Sequence, residues 1–86
     1  MRNISYGLIN VYGVMGYSYY NIKKFDEALK AFNNAINESS EDGELYYWRG
    51  ITKLNLEMKN EGCIDLSKAG EYGIEDAYEI ISKYCN

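Results

Sequence analysis

Two cysteines, two short acidic runs and ten tyrosines are the residues of this 86-residue chain with chemistry to offer. Histidine is absent, which removes the commonest general base and the commonest metal ligand together. The acidic runs, Glu41 to Glu44 (EDGE) and Glu75 with Asp76, hold the residue types of a general acid/base pair. Both fall where a helix is expected to begin, and carboxylates in a first turn complement the helix dipole. Cys63 and Cys85 stand 22 residues apart with no C-x-x-C spacing, so neither a zinc site nor a redox dithiol has support. They read as two buried or half-buried small apolar residues, with a disulfide between adjacent helices as the alternative. No dinucleotide fingerprint, phosphate loop or nucleophile elbow is present. The chain therefore reads as non-catalytic, with no metal and no cofactor.

Charge narrows the partners. The net charge is −4, and the basic residues are scattered from Arg2 to Lys83 without a block, so the footprint of a nucleic-acid binder is missing. The opening stretch to Tyr20 has one positive charge and an apolar run, but Asn10 and five tyrosines interrupt it and no small-residue cleavage site follows. It reads as neither a signal peptide nor a membrane span. A cytoplasmic protein with no nucleic acid and no membrane among its partners is expected. At this length only ~60–65% of the unfolded chain's surface is buried on folding, so one domain of modest stability should span residues 1–86.

Proline is also absent, so the breaks between elements must come from glycine and short polar runs. The spacing predicts helix one from about Ser5 to Asn21, with Tyr12, Met15, Gly16 and Tyr19 as its packing face. Lys23 and Lys24 follow its end, and Asp26 and Glu27 open helix two, which runs to about Asn37. So short a link makes the two an antiparallel hairpin. After the polar loop ESSEDG, helix three runs from about Asp42–Glu44 to Leu56. Helix four starts on Asn60 as N-cap and ends near Tyr72, with Gly73 left-handed and Ile74 as the apolar residue behind it. Helix five, about Glu75 to Tyr84, carries Ala77, Ile80, Ile81 and Tyr84 on one stripe, the pattern of an amphipathic cover.

Sliding the chain by 34 residues superposes Tyr12 on Tyr46, Gly16 on Gly50, Asn21 on Asn55, Glu27 on Glu61 and Ala35 on Ala69. Residues 9–42 also hold Tyr12, Met15, Gly16, Tyr19, Ala28 and Phe32, with Ala35 as a second small residue, in the spacing of a known signature. On these residues the chain resembles the tetratricopeptide repeat (TPR) family; Ser40 stands where that family has proline. Residues 43–76 resemble a degenerate second copy, keeping Tyr46, Gly50 and Ala69 but carrying Arg49, Lys53, Gly62 and Leu66 at the other signature places. Residues 75–86 look like a capping helix. The resemblance implies an all-α fold, a right-handed array of antiparallel helix hairpins (an α-solenoid) with about five helices. Small residues are expected where the helices of a hairpin cross, with Gly16 against Ala28 and with Phe25 and Phe32 filling either side.

Helix one carries a second apolar face, on which Gly13, Tyr17 and Tyr20 join Asn10; the matching face of helix three carries Tyr47, Ile51 and Leu54, with Glu44 at its start and Trp48 at its edge. In the TPR family the first helix of each unit lines a concave groove. The resemblance thus implies a partner-binding set of Asn10, Tyr17, Tyr20, Glu44, Tyr47, Trp48, Ile51 and Leu54, unless other helices cover some of them. The places that hold a carboxylate clamp for chaperone C-termini in that family are Gly13, Tyr17 and Trp48 here, which speaks against such a ligand. An aromatic, apolar groove suits a protein or peptide segment with large apolar anchors, or a second copy of the chain in a homodimer. The functional expectation is a protein–protein interaction module. The alternatives are a structural self-association unit or part of a longer repeat scaffold.

Overall fold

The structure, a computed structural model, describes residues 10–86. These form five helices: α1 (Val11–Asn21), α2 (Phe25–Glu38), α3 (Gly43–Asn55), α4 (Lys59–Glu71) and α5 (Asp76–Tyr84). The chain is all-α, and no strand occurs among the described residues. The part of helix one expected before residue 10 lies outside them. Each helix packs chiefly against its neighbours in the chain, α1 on α2, α2 on α3, α3 on α4 and α4 on α5, while α1 and α3 touch only slightly.

Side-chain caps start α1 and α3. The Asn10 carboxamide oxygen accepts from the backbone N–H groups of Tyr12 (3.0 Å) and Gly13 (3.3 Å), and the Asp42 carboxylate accepts from that of Glu44 (3.0 Å). Helix α4 departs from expectation. It begins at Lys59 with Met58 as the N-cap residue and no side-chain cap, and Asn60 sits exposed inside its first turn. Met58 already belongs to the end of α3: its N–H bonds Lys53 C=O at 2.8 Å while its own C=O accepts from Gly62 N–H at 2.9 Å. One residue closes one helix and opens the next, so a separate polar cap has no place.

The helix ends are built alike. At the end of α1, Lys24 N–H bonds Tyr19 C=O and Lys23 N–H bonds Tyr20 C=O, with Lys23 left-handed at φ 64°. At the end of α3, Met58 and Glu57 bond Lys53 and Leu54 in the same way, with Glu57 at φ 63°. At the end of α4, Ile74 and Gly73 bond Ala69 and Gly70, with Gly73 at φ 100° as expected. This double closure consumes the orphan carbonyls of the last turn and reverses the chain within three residues.

Phe32 and Leu66 are fully buried at the centre, ringed by Ala28, Ala35, Ala69 and Ala77. Burying a side chain such as Phe32 contributes about 1.5–3 kcal/mol. The alanines are small because the helices are close. A Cβ added to Gly16 would lie 2.6 Å from the Phe32 ring, so the group that needs this glycine is Phe32, where the spacing suggested Ala28. Helical side chains lean toward the N-terminus of their own helix, which carries the Phe32 ring back over the turn of Ala28. At the α3–α4 crossing the backbones themselves meet: a Cβ on Gly50 would be 2.9 Å from the Gly62 carbonyl oxygen, and one on Gly62 equally close to that of Gly50.

Three expectations about packing are corrected. Tyr12 and Met15 are exposed, and Gly16 is the one buried residue of α1; both side chains lie at the rim of the α1–α2 contact, beside Glu27, Lys30 and Asn34, rather than within it. On α5, Ala77 is buried and Ile80 and Ile81 are half-buried, but Tyr84 is exposed rather than part of the packed stripe. Cys63 and Cys85 are joined in a disulfide, where the sequence favoured two free thiols. Cys63 stands early in α4 and Cys85 just past the end of α5, so the reversal at Gly73 brings their Cα atoms to 5.8 Å.

Candidate partner-binding groove

The slight contact between α1 and α3 leaves a gap that aromatic side chains occupy. Trp48 lies at its centre, with ring centroids 4.9 Å from Tyr17, 5.1 Å from Tyr47 and 5.3 Å from Tyr20. Tyr20 in turn meets Phe25 edge-on at 5.7 Å. Such edge and tilted contacts set the negative ring faces against positive ring edges, adding to the area they bury. Trp48 is held from its polar side as well, because its indole N–H donates to Glu44 Oε1 at 3.2 Å. The cluster is therefore ordered but not enclosed: Trp48, Tyr20 and Tyr47 are half-buried and Tyr17 is 44% exposed.

Two depressions flank it. One, of about 660 Å³, lies between the first turns of α1 and α3, with Val14, Tyr17, Leu45 and Trp48 as walls and Asp42 and Glu44 at the rim. The other, about 380 Å³, lies further along, where Tyr20, Ile51 and Leu54 face Ile80 and Tyr84 of α5. The expected residues are thus gathered on one surface. Asn10 lines the first depression, but its amide is spent: besides capping α1 it donates to Ala35 C=O at 2.9 Å and to Ser39 Oγ at 3.0 Å, tying α1 to the end of α2. Ile80 and Tyr84 were missed as groove residues, because their stripe reads as pure packing when α5 is considered alone.

Electrostatics distinguishes the two sides of α3. Behind the groove, Asp65 is buried at 3% exposure and takes a bidentate pair from Arg49, 2.8 Å in both arms, and a third contact from Lys53 Nζ at 3.0 Å. Arg49 also donates to Asn33 Oδ1 at 3.0 Å, so this network joins α2, α3 and α4. Arg49 and Lys53 departed from the repeat signature; together they answer one buried carboxylate. On the groove side the field is negative. The Tyr47 phenol is raised above its ordinary 10.0 by burial first and then by Asp76, Glu44, Tyr20 and Glu79, and the Tyr20 phenol by burial and by Tyr17.

Among the described residues, no group of three or more His, Cys, Asp or Glu side chains is placed to hold a metal ion, and no helix is long and apolar enough to cross a membrane. Comparison of the chain with protein-family models, curated proteins and solved structures finds no match.

Proposed function

We propose that this chain is a non-catalytic protein–protein interaction module that binds a peptide or protein segment in the groove between α1 and α3, within a TPR-like array of two helix hairpins and a capping helix. One observation carries the reading: Tyr17, Tyr20, Tyr47 and Trp48 converge on one open surface with Ile51 and Leu54 beside them. Aromatic side chains that are ordered yet half-exposed are the usual material of interaction hot spots, since a partner removes them from water at little further cost in entropy. The array reading is supported by the repeated helix closures at Lys23 and Glu57, 34 residues apart, and by glycine at both crossings, Gly16 and Gly50. A second reading, self-association or membership of a longer scaffold, is favoured by the exposed Val11, Val14, Met15 and Ile22 along α1. The disulfide favours an oxidising compartment over the cytoplasm expected from sequence.

Light scattering over a concentration series separates the two readings, a monomer favouring the binding module and a tight dimer favouring self-association. Trp48 is the chain's only tryptophan, so its emission reports occupancy of the groove. Tyr47→Ala or Leu54→Ala should weaken partner binding by about 1 kcal/mol or more with little loss of fold stability. If either substitution unfolds the domain, these side chains belong to the core and the groove reading fails.

A further inference from the structure

We infer that the depression between the first turns of α1 and α3 receives a lysine or arginine side chain of the partner segment, so that the groove selects cationic, apolar peptides. This rests on the groove being the binding surface, and it is the charge distribution that identifies the occupant. The walls are apolar and aromatic, from Val14, Leu45, Tyr17 and Trp48, and among the described residues the two charged ones that line it, Asp42 and Glu44, are both acidic. Asp76 and Glu79 extend the same sign over neighbouring Tyr47.

The basic residues of α3 cannot neutralise this rim. Arg49 and Lys53 are committed to Asp65 on the opposite side of the helix. Lys68 of α4 lies over the Tyr46 ring, 5.8 Å from its centroid. Among the described residues, Lys23 is the cation that approaches the groove, and it does so at the far end of α1, beyond Tyr20. The end of the groove near Glu44 therefore combines three features that a long basic side chain requires. Apolar walls accept its methylene stem, ring faces on Tyr17 and Trp48 attract its charge, and carboxylates at the mouth meet the charged head without burying it. An acidic segment would be repelled by both carboxylates, and a purely apolar one would gain nothing from their charge.

The test is selection of displayed random short peptides on the wild-type protein, followed by titration of synthetic copies of the enriched sequences against Trp48 emission. Enriched peptides are expected to place lysine or arginine beside a large apolar residue. Replacing that basic residue with glutamine should weaken binding by about tenfold, the sum of one exposed cation–π contact and one or two rim ion pairs. Glu44→Gln should weaken it several-fold, and raised salt should shrink both effects. Glu44 and Tyr17 are both exposed, so Glu44→Gln and Tyr17→Ala probe the site without emptying the core. If the enriched peptides are apolar or acidic yet lose binding on Tyr17→Ala, the preference for basic segments is overturned and the groove reading stands. If no enriched peptide depends on Tyr17 or Tyr47, both fall together.

Discussion

Gly62→Ala should destabilise the fold although alanine is the better helix former. A Cβ at position 62 would lie 2.9 Å from the Gly50 carbonyl oxygen and 3.2 Å from Leu54 Cδ2. The first of these neighbours is backbone and cannot swing aside, so α3 and α4 must separate by a few tenths of an ångström along the most extensive helix pair of the domain. Overpacking of this kind costs ~1–3 kcal/mol, and the propensity gain returns roughly 1 kcal/mol. A net loss of about 1 kcal/mol follows. Gly70→Ala is the control with the opposite sign. Its Cβ would meet only the outer end of the Tyr78 ring, at 2.5 Å from Cζ, and Tyr78 is an exposed side chain free to move, so the propensity gain should prevail. Urea titration of the oxidised proteins, followed by helical circular dichroism, should separate the two variants by about 1–2 kcal/mol, or roughly 5–15 °C in Tm for a domain this size. If Gly62→Ala matches or exceeds the parent, the close crossing is not what requires glycine there.

Three further outcomes are expected. Reducing the Cys63–Cys85 bond, or replacing both residues with serine, releases a loop of 22 residues and should cost about 3 kcal/mol by the chain-entropy relation, read as a lower urea midpoint in reductant. Asp65→Ala strands Arg49 and Lys53 and should cost ~2–4 kcal/mol, below the fully buried limit because both cations keep some solvent contact, whereas Lys53→Met, which leaves the bidentate Arg49 pair, should cost clearly less by the same titration. Tyr20 and Tyr47 release their protons later in the folded chain than in the unfolded one, so their contribution to stability is complete below pH 10.0 and declines as pH rises through their raised values. Thermal melts across that range should show the decline, and Tyr20→Phe with Tyr47→Phe should flatten it.

Helix number and rough limits were legible because one-sided apolar spacing and first-turn carboxylates are local signals. Asp26, Glu27 and Gly73 did what their types and positions implied. The turns at Lys23 and Glu57 were not legible in the same way, since a lysine or glutamate gives no hint of a left-handed backbone. There the two closing hydrogen bonds and the pull of the next helix offset a strain that glycine avoids. The Asp65 network was hidden for a different reason. Arg49 and Lys53 sit one turn apart and invite a reading as a solvated face, and only the register of α4 against α3 puts a carboxylate between them. Register also decided the disulfide against the sequence's preference for two unpaired cysteines, because a separation of 22 residues becomes a bonding distance only once the direction of α5 is known.

The glycines and the aromatics express one geometry. Gly16 lets α1 settle onto Phe32, and Gly50 with Gly62 brings α3 and α4 to backbone contact, so each helix is drawn toward its hairpin partner. Drawn that way, α1 and α3 share few contacts: near their first turns Leu45 of α3 reaches the α1 backbone, where a Cβ on Gly13 would lie 2.9 Å from Leu45 Cδ2. Further along, Trp48 of α3 meets Tyr17 and Tyr20 of α1 by ring-to-ring contacts of about 5 Å, with Tyr47 packed beside Trp48 on α3, and one side of the cluster stays in water. Had either crossing carried a large side chain, the hairpins would be splayed and this gap would change width. A substitution at Gly16, far from the open face of Trp48, should therefore disturb the aromatic cluster through the position of α1. The groove depends on the tightness of packing behind it.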